Sequence, residues 1–414
     1  MSELSPATTC LMPAAALAVL STIAAQSPAS DGLGDSVSTD PIVRVLPLAV
    51  SQDSAEPNLT VASDGSVILS WVEELAERGH VLRFAVRNGG AWSKPREVAR
   101  GNDWFVNWAD FPSVVALPNR TMAAHWLAIS GSGTYDYDVM IARSSDAGKT
   151  WSQPVVPHRD GVKAEHGFVS LFSQGSDKLG VVWLDGREMS GEDSGHGRGS
   201  MTLRYVELLS NRNLEHPAIL DSRVCECCQT SAAMTARGPV VVYRDRSADE
   251  IRDISIVRRV DGEWTAPVPV SRDGWQIQGC PVNGPSVAAV GQQVAVAWFT
   301  AAKSQSRVYL ARSSDAGVNF AKPIKMDGAN PSGRVDVAIS NGGTVYVCWL
   351  AQPDGVGAVH LRRVAVDGTV GEVVTIAKMG TDRRSGFPQM VMAGEELVFA
   401  WTGEGVKTAV LSVQ

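Results

Sequence analysis

The sequence lacks the features that mark helical, membrane and nucleic-acid-binding proteins. After residue 30 no segment has the periodicity of an amphipathic helix. The apolar stretch Leu11–Ala25 is too short for a membrane span. The formal net charge is -7 and the sequence has no stripe of Lys or Arg, so a nucleic-acid partner is not expected. What remains is a chain of 414 residues, rich in Val, Thr, Trp and Gly, that suits short strands and tight turns.

The N-terminus has most features of an export signal. Leu11–Ala25 is Ala-rich and of suitable length, and the chain could be cut near Ala24 and Ala25. The region before it holds Glu3 and no Lys or Arg, which fits either a start placed too far upstream or a protein that is not exported. We expect residues 1–25 to be a signal peptide, residues 26–41 a flexible leader and residues 42–414 one exported domain, periplasmic or secreted.

Seven aromatic residues, each closing a short apolar run, recur at intervals of 51 to 60 residues. They are Trp71, Trp126, Trp183, Tyr243, Trp298, Trp349 and Trp401. A unit of this length, repeated along a chain, is typical of four-stranded propeller blades. The sequence therefore predicts an all-β, single-domain β-propeller of seven blades, or six if one repeat is irregular. The last repeat holds only about three strands, so we expect Ile42–Val50 to complete its blade.

Two repeats carry a turn motif between their third and fourth strands. Residues 144–151 read Ser-Ser-Asp-Ala-Gly-Lys-Thr-Trp, and residues 313–320 read Ser-Ser-Asp-Ala-Gly-Val-Asn-Phe. The pattern Ser-x-Asp-x-Gly-x-Thr-Trp resembles the Asp-box, or BNR repeat, of the sialidase (neuraminidase) superfamily. In such a turn Asp caps backbone amides and Gly supplies a positive φ. These turns should lie on the face opposite the loops that join one blade to the next.

Cysteines concentrate in two of those interblade loops. Cys227 precedes Tyr243 by 16 residues, Cys280 precedes Trp298 by 18, and His166 precedes Trp183 by 17. This common offset predicts that Cys225, Cys227, Cys228, Cys280 and His166 gather at one mouth of the central channel. Sulfur ligands favour Cu(I) or Zn there. The alternatives are a disulfide from Cys280 to Cys225 or Cys228, or reactive thiols. Cys348 is expected to be a buried core thiol.

Charged and aromatic residues occupy loops on the same face. Asp185 with Arg187, and Asp245 with Arg246, follow the second strand of neighbouring blades. Further candidates for binding a ligand are Arg334, Arg384, Trp104 and Trp108. Arginines could hold a carboxylate, or these pairs could simply satisfy one another at blade junctions. The segment from Asp249 to Asp253 is expected to be a solvated loop.

The resemblance implies an enzyme only in part. Sialidases use three arginines, a Tyr nucleophile with Glu, and an Asp acid/base. No Arg-Ile-Pro triplet is present here, and the last tyrosine, Tyr346, lies within a strand pattern. We therefore expect a monomeric propeller with a ligand or metal site at the channel mouth. The alternatives are a glycoside hydrolase acting on anionic glycans, with Asp185 and Asp245 as catalytic carboxylates, and a protein-interaction scaffold.

Overall fold

The computed structural model describes residues 43–189, 199–328 and 330–413. By its contacts the chain divides into residues 1–40 and Pro41–Gln414, and all described residues belong to the second unit. The predicted signal peptide and leader lie outside the described residues, so export stays a prediction. Within the described ranges, no helix is long and apolar enough to cross a membrane.

The described chain forms 28 strands in seven antiparallel sheets, which confirms the predicted propeller. An N-terminal strand, β1 (Val43–Leu46), precedes the first blade. Blade 1 is β2 (Ser54–Val61), β3 (Val67–Glu74), β4 (His80–Arg87) and β5 (Arg96–Gly101). Blade 2 is β6 (Ser113–Ala116), β7 (Met122–Ile129) and β8 (Tyr137–Ser144), with Val155 paired to Ile141 at the outer edge. Blade 3 is β9 (His166–Ser173), β10 (Lys178–Asp185), β11 (Thr202–Leu209) and β12 (Leu214–Asp221).

The remaining four blades repeat the same order from the channel outwards. Blade 4 is β13 (Ser231–Thr235), β14 (Gly238–Arg244), β15 (Ile254–Val260), and an outer edge split into β16 (Glu263–Trp264) and β17 (Val268–Pro269). Blade 5 is β18 (Ser286–Val290), β19 (Gln293–Thr300), β20 (Arg307–Ser313) and β21 (Ile324–Lys325). Blade 6 is β22 (Pro331–Ile339), β23 (Val345–Ala351), β24 (Ala358–Val364) and β25 (Val374–Lys378). Blade 7 is β26 (Gln389–Ala393), β27 (Glu396–Gly403) and β28 (Gly405–Ser412).

The last blade is completed by the N-terminal strand, as the sequence predicts. β1 pairs antiparallel with β28, and Val43 stands opposite Leu411. The Thr408 hydroxyl also donates to the Leu46 carbonyl at 2.9 Å. The first and last strands of the described chain therefore share one sheet, which ties the N-terminal strand to blade 7.

Each of the seven repeated aromatics packs in a seam between two blades. Trp71 lies in a cluster with residues of blades 7 and 1, and Trp126 lies in one shared by blades 1 and 2. Trp349, which is fully buried, joins blades 5 and 6. Burial of a large side chain at this place stabilises the contact with the preceding blade by about 2 kcal/mol. The seven repeated aromatics therefore mark seven hydrophobic cores, each between two neighbouring blades.

The two turns at residues 144–151 and 313–320 lie on the face away from the interblade loops. Asp146 accepts hydrogen bonds from the amides of Lys149 and Thr150, both at 3.0 Å, and Gly148 has a φ of 76°. Asp315 accepts from the Asn319 amide at 2.9 Å in the same way. The two turns fix the link between third and fourth strands and leave the opposite face to the candidate site.

Candidate functional site

Three thiols meet at the channel mouth, in the loop between β12 and β13. The Sγ atoms of Cys225 and Cys228 are 3.0 Å apart, and those of Cys225 and Cys227 are 3.9 Å apart. The segment is held in place because the Cys225 amide donates to the Arg244 carbonyl at the end of β14. Cys225 and Cys228 are 1% exposed, whereas Cys227 is partly accessible. This grouping puts three soft donor atoms within 4.8 Å of one another.

Cys280 reaches this cluster from the loop between blades 4 and 5. It is exposed, and a hydrogen bond with the Cys227 thiol lowers the pKa of Cys280. Cys280 therefore lies beside Cys227, and its part in a site stays a prediction. All five cysteines of the described residues are free thiols, so the disulfide alternative has no counterpart among them.

Two neighbouring thiols and a buried guanidinium act on the Cys225 thiol. Burial raises the pKa of the Cys225 thiol, but hydrogen bonds with Cys227 and Cys228 and the charge of Arg252 outweigh it and lower the pKa well below its usual range. Arg252 Nη1 donates to the Cys225 sulfur at 3.3 Å. Burial raises the pKa of Cys228. The neighbouring thiols and the Arg252 charge therefore favour the thiolate form of Cys225.

Carboxylates surround that guanidinium and balance its charge. Arg252 Nη1 donates to Glu226 at 2.7 Å, and its Nη2 donates to Glu250 at 2.9 Å. Arg246 pairs with the same two carboxylates. Arg252 is fully buried, so the expectation of a solvated loop around it is wrong. The loop between β14 and β15 folds back over the cysteine segment instead, and its alternating charges are satisfied there.

A second group of acids lies beside the thiols. The Tyr137 hydroxyl oxygen is 3.2 Å from Asp110 Oδ2 and 3.0 Å from Glu165 Oε1. Burial raises the pKa of Asp110 to about 7 and that of Glu165 to about 8, and for Glu165 the charges of Asp110, Cys280 and Cys225 add to the effect. A hydroxyl carries only one proton, so a protonated carboxyl completes this hydrogen-bond chain. Sequence reasoning missed these residues, since isolated acids in loops give no spacing signal.

His166 lies in a different cluster from the cysteines. Its Nδ1 is 3.1 Å from the Tyr137 carbonyl oxygen, and its Nε2 is 3.3 Å from Asp160 Oδ2 and 3.8 Å from Asp185 Oδ1. The ring stacks on His158 with centroids 3.6 Å apart. The structure thus places His166 among histidine and aspartate side chains rather than among sulfur atoms.

The predicted catalytic carboxylates are both engaged within the protein. Asp185 is fully buried and accepts from Arg187 Nε and Trp183 Nε1, each at 2.7 Å. Asp245 accepts from the Arg246 amide at 2.7 Å and from the Ser255 hydroxyl at 3.1 Å. Arg187 also pairs with Asp160 at 2.6 Å. The matched Asp–Arg loops are therefore internal networks in this structure.

The remaining predicted ligand-binding residues divide between the core and the surface. Trp104 is buried and stacks on Trp126. Arg334 donates to the Gly386 and Asp382 carbonyls at 2.7 and 3.0 Å, and its guanidinium lies 4.7 Å from the Trp108 ring centroid. Arg384 is exposed and, like Trp108, lines a groove between blades 7 and 1. Only these last two share an open surface.

Comparisons with known proteins support the fold. No known family model matches the chain, and no curated protein matches it. An ulvan lyase structure, described as bound to -[GlcA(1-4)Rha3S]-, is similar with a TM-score of 0.55 and 11% identity over 89% of this chain and 96% of that one. The polysaccharide lyase Uly1 has a TM-score of 0.52 and 10% identity, covering 89% and 91%. A protein of unknown function from Dyadobacter fermentans has a TM-score of 0.50 and 14% identity, covering 90% and 98%.

These similarities are to propeller structures, as the resemblance to the sialidase superfamily implies. At 10 to 14% identity they support the fold, a β-propeller, and nothing finer.

Proposed function

We propose that this propeller binds one soft metal ion, Cu(I) or Zn(II), through Cys225, Cys227 and Cys228, with Cys280 as an additional ligand. The observation that carries the proposal is the approach of three sulfur atoms to within 4.8 Å, two of them in buried residues. Thiolates are the preferred ligands of these metals. His166 is not part of the proposed site, because its contacts are with other side chains.

The Glu226 carboxylate does not make the thiol cluster a site for a hard cation. Ca²⁺ and Mg²⁺ require several oxygen ligands. Glu226 is buried between Arg246 and Arg252, and both guanidinium groups pair with it. Its oxygens are therefore committed to hydrogen bonds, and the cluster presents sulfur. The same ion pairs leave Arg252 near Cys225, where its charge favours the thiolate form that would bind a metal ion.

If Leu11–Ala25 directs export, as the sequence predicts, a bound metal ion would protect the Cys225 and Cys228 thiols from oxidation. In an oxidising compartment two unbound thiols 3.0 Å apart would be expected to form a disulfide. A bound metal ion keeps both sulfurs in the thiolate state. The proposal thus requires either metal loading before oxidation or a reduced form that persists.

The test is metal analysis of protein purified without chelator under anaerobic conditions. We expect about one Cu or Zn per chain in the native protein and none in the double variant Cys225→Ser/Cys228→Ser. Thiol counting on the same unfolded samples separates a metal from a disulfide. A disulfide in freshly prepared protein together with no bound metal contradicts the proposal, as does a metal that persists in the double variant.

The glycoside hydrolase alternative rests on two carboxylates whose oxygens are already occupied. Asp185 is fully buried and accepts hydrogen bonds from Trp183 and Arg187, so it does not face an open surface where a glycan could bind. We expect no turnover of a fluorogenic sialoside. Hydrolysis that disappears in Arg187→Ala or Arg246→Ala would favour this alternative instead.

A further inference from the structure

Outside the thiol cluster, histidine and aspartate side chains form a buried group between blades 2 and 3. His158 and Asp160 come from the loop between β8 and β9, His166 begins β9, and Asp185 ends β10. His166 and Asp185 are fully buried, and Asp160 is partly exposed. One side-chain atom from each of Asp160, His166 and Asp185 lies within 4.8 Å of the other two. Charged groups buried to this depth require partners that balance their charge.

The hydrogen bond on one side of the His166 ring determines which nitrogen carries the proton. Nδ1 is 3.1 Å from the Tyr137 carbonyl oxygen, which can only accept, so Nδ1 carries a hydrogen. In the neutral ring Nε2 then bears a lone pair, and it has no hydrogen-bond partner among the described residues. Asp160 Oδ2 lies 3.3 Å from Nε2, and Asp185 Oδ1 lies 3.8 Å from it. All three atoms are acceptors, so a proton or a metal ion is needed between them.

The geometry favours a metal ion over a proton on Nε2. Neither carboxylate oxygen is placed to accept a hydrogen bond from this nitrogen, so a proton there would have no aligned acceptor. A transition metal binds nitrogen and oxygen at about 2.0 to 2.2 Å, which separates neighbouring ligand atoms by about 3 to 3.6 Å. The distances of 3.3 and 3.8 Å from Nε2 lie at or just above this spacing.

The neighbouring side chains hold His166 and Asp160 in this arrangement. The His158 ring stacks on His166 with centroids 3.6 Å apart. His158 is not itself a ligand, because its Nε2 accepts from the Val139 amide at 3.2 Å. Burial, followed by the charge of His166, lowers the pKa of His158 to about 3, so this ring stays neutral. Asp160 Oδ1 accepts from the Val162 amide at 2.8 Å, which leaves Oδ2 on the side of His166.

The charge of the group also favours a divalent cation. Three carboxylates lie within 4 Å of the His166 ring nitrogens, those of Asp138, Asp160 and Asp185. Arg187 Nη2 pairs with Asp160 at 2.6 Å and with Asp185 at 2.5 Å. Arg204 lies 3.7 Å from Asp185 and pairs with Glu188 at 2.6 Å. Four carboxylates thus face two guanidinium groups. Metal-ligating carboxylates are commonly hydrogen-bonded themselves, so Arg187 orients two of them and moderates their affinity for a metal.

We propose that His166 Nε2, Asp160 Oδ2 and Asp185 Oδ1 bind Mn(II) in a second site, separate from the thiols. Carboxylates suit Mn(II), whereas an imidazole ligand disfavours Ca²⁺ and Mg²⁺, which prefer oxygen throughout. The site has only three protein ligands, and two of them also pair with Arg187. Binding is therefore reversible, and the ion is lost on desalting without adding to the metal of the protein as isolated. No residue of this site belongs to the thiol cluster, so the failure of one proposal leaves the other standing.

The test is titration of the purified protein with Mn(II), followed by electron paramagnetic resonance. We expect one Mn(II) per chain, with magnetic coupling to a histidine nitrogen. His166→Asn keeps a donor for the Tyr137 carbonyl and removes Nε2, so the affinity should fall at least about tenfold and the nitrogen coupling should disappear. Asp160→Asn can still accept from the Val162 amide, and it should weaken binding by a similar factor. Circular dichroism establishes that each variant is folded, and either folded variant is sufficient for the test.

The matched control is His216→Asn, which changes an exposed histidine beside Glu207 and Glu215. This variant should bind Mn(II) like the native protein, as should Cys225→Ser/Cys228→Ser. Mn(II) that binds without nitrogen coupling is attracted only to carboxylates, which overturns the proposal. Absence of Mn(II) binding overturns it too and indicates a proton on His166 Nε2. Unchanged affinity in a folded His166→Asn or Asp160→Asn would place the ion elsewhere.

Discussion

Cys225 and Cys348 are both buried cysteines, yet their surroundings give the two thiols opposite character. Cys348 lies in β23 within the apolar core between blades 6 and 7, where burial raises its pKa well above the usual range. Cys225 has two thiols and a guanidinium as neighbours, and these lower its pKa despite burial. Residue type alone therefore does not identify the metal ligands, because the neighbours decide which thiol ionises.

This contrast provides a matched pair of substitutions. Cys225→Ala should abolish metal binding. Cys348→Ala should retain full metal content and reduce the free energy of unfolding by about 1 kcal/mol, since it removes only a small apolar group from the core. Metal analysis and chemical denaturation of both variants check this. Loss of metal in Cys348→Ala, with the fold intact, would be inconsistent with the proposed ligand set.

At the level of single strands, the number of residues before the blade aromatic predicts where a residue lies along the channel axis. This holds only where the strands pair without bulges. His166 and Cys227 have nearly the same offset from their blade aromatics, but His166 lies within β9 and pairs with Asp185. Beside Asp245, the equivalent place in blade 4 is taken by Val224 of the preceding loop. The β-bulge in β9 and the loop before β13 shift a residue along the channel axis without changing the number of residues before the blade aromatic. For this reason Cys227 and Cys280 lie close together, whereas His166, with a similar offset, lies in a different cluster.

The closing strand offers a test at the same scale. Leu46 is 4% exposed and packs in the core between blades 7 and 1, whereas Val45 is 68% exposed on the same strand. Leu46→Ala should lower the free energy of unfolding by about 3 kcal/mol, and Val45→Ala should change it by less than about 0.5 kcal/mol. Denaturant unfolding of the two variants checks this. Equal effects would mean that β1 does not close the ring as described.

At the scale of the whole molecule, the repeated aromatics predict the architecture because each one fills a seam between blades. The electrostatics of the channel mouth could not be predicted in this way. Glu56, Asp110 and Glu165 come from different loops and strands, and only the closed ring brings them near one another. Likewise Arg252 lies among charged residues in the sequence, and its burial becomes apparent only when its loop covers the cysteines.

The buried acids make the stability of the whole propeller depend on pH. The pKa of Asp110 is raised from 3.8 to about 7, so its protonated form favours the fold. The associated stability is present below about pH 4 and is lost as pH rises to about 7, by a few kcal/mol in order of magnitude. The groups that face Asp110 are Tyr137, Glu165 and Glu56. Glu165, with its pKa of about 8, should extend the decline to higher pH.

Asp110→Asn isolates this contribution. The asparagine can still accept from the Phe168 amide, which donates to Asp110 Oδ1 at 2.7 Å in the native protein. We expect the free energy of unfolding of the variant to fall less steeply between pH 5 and 7 than that of the native protein, by up to about 1.4 kcal/mol per pH unit, and to keep the decline that Glu165 causes. Denaturation curves across this range provide the measurement. A slope between pH 5 and 7 equal to that of the native protein would show that Asp110 titrates normally.

X-ray absorption at the Cu or Zn edge of the protein as isolated measures whether sulfur atoms at the channel mouth hold a metal ion. We expect scattering dominated by sulfur, at about 2.3 Å if the metal is zinc. We also expect this signal to be lost in Cys225→Ser/Cys228→Ser and kept in Cys348→Ala. A first shell of nitrogen and oxygen alone, at about 2.0 to 2.1 Å, would contradict it.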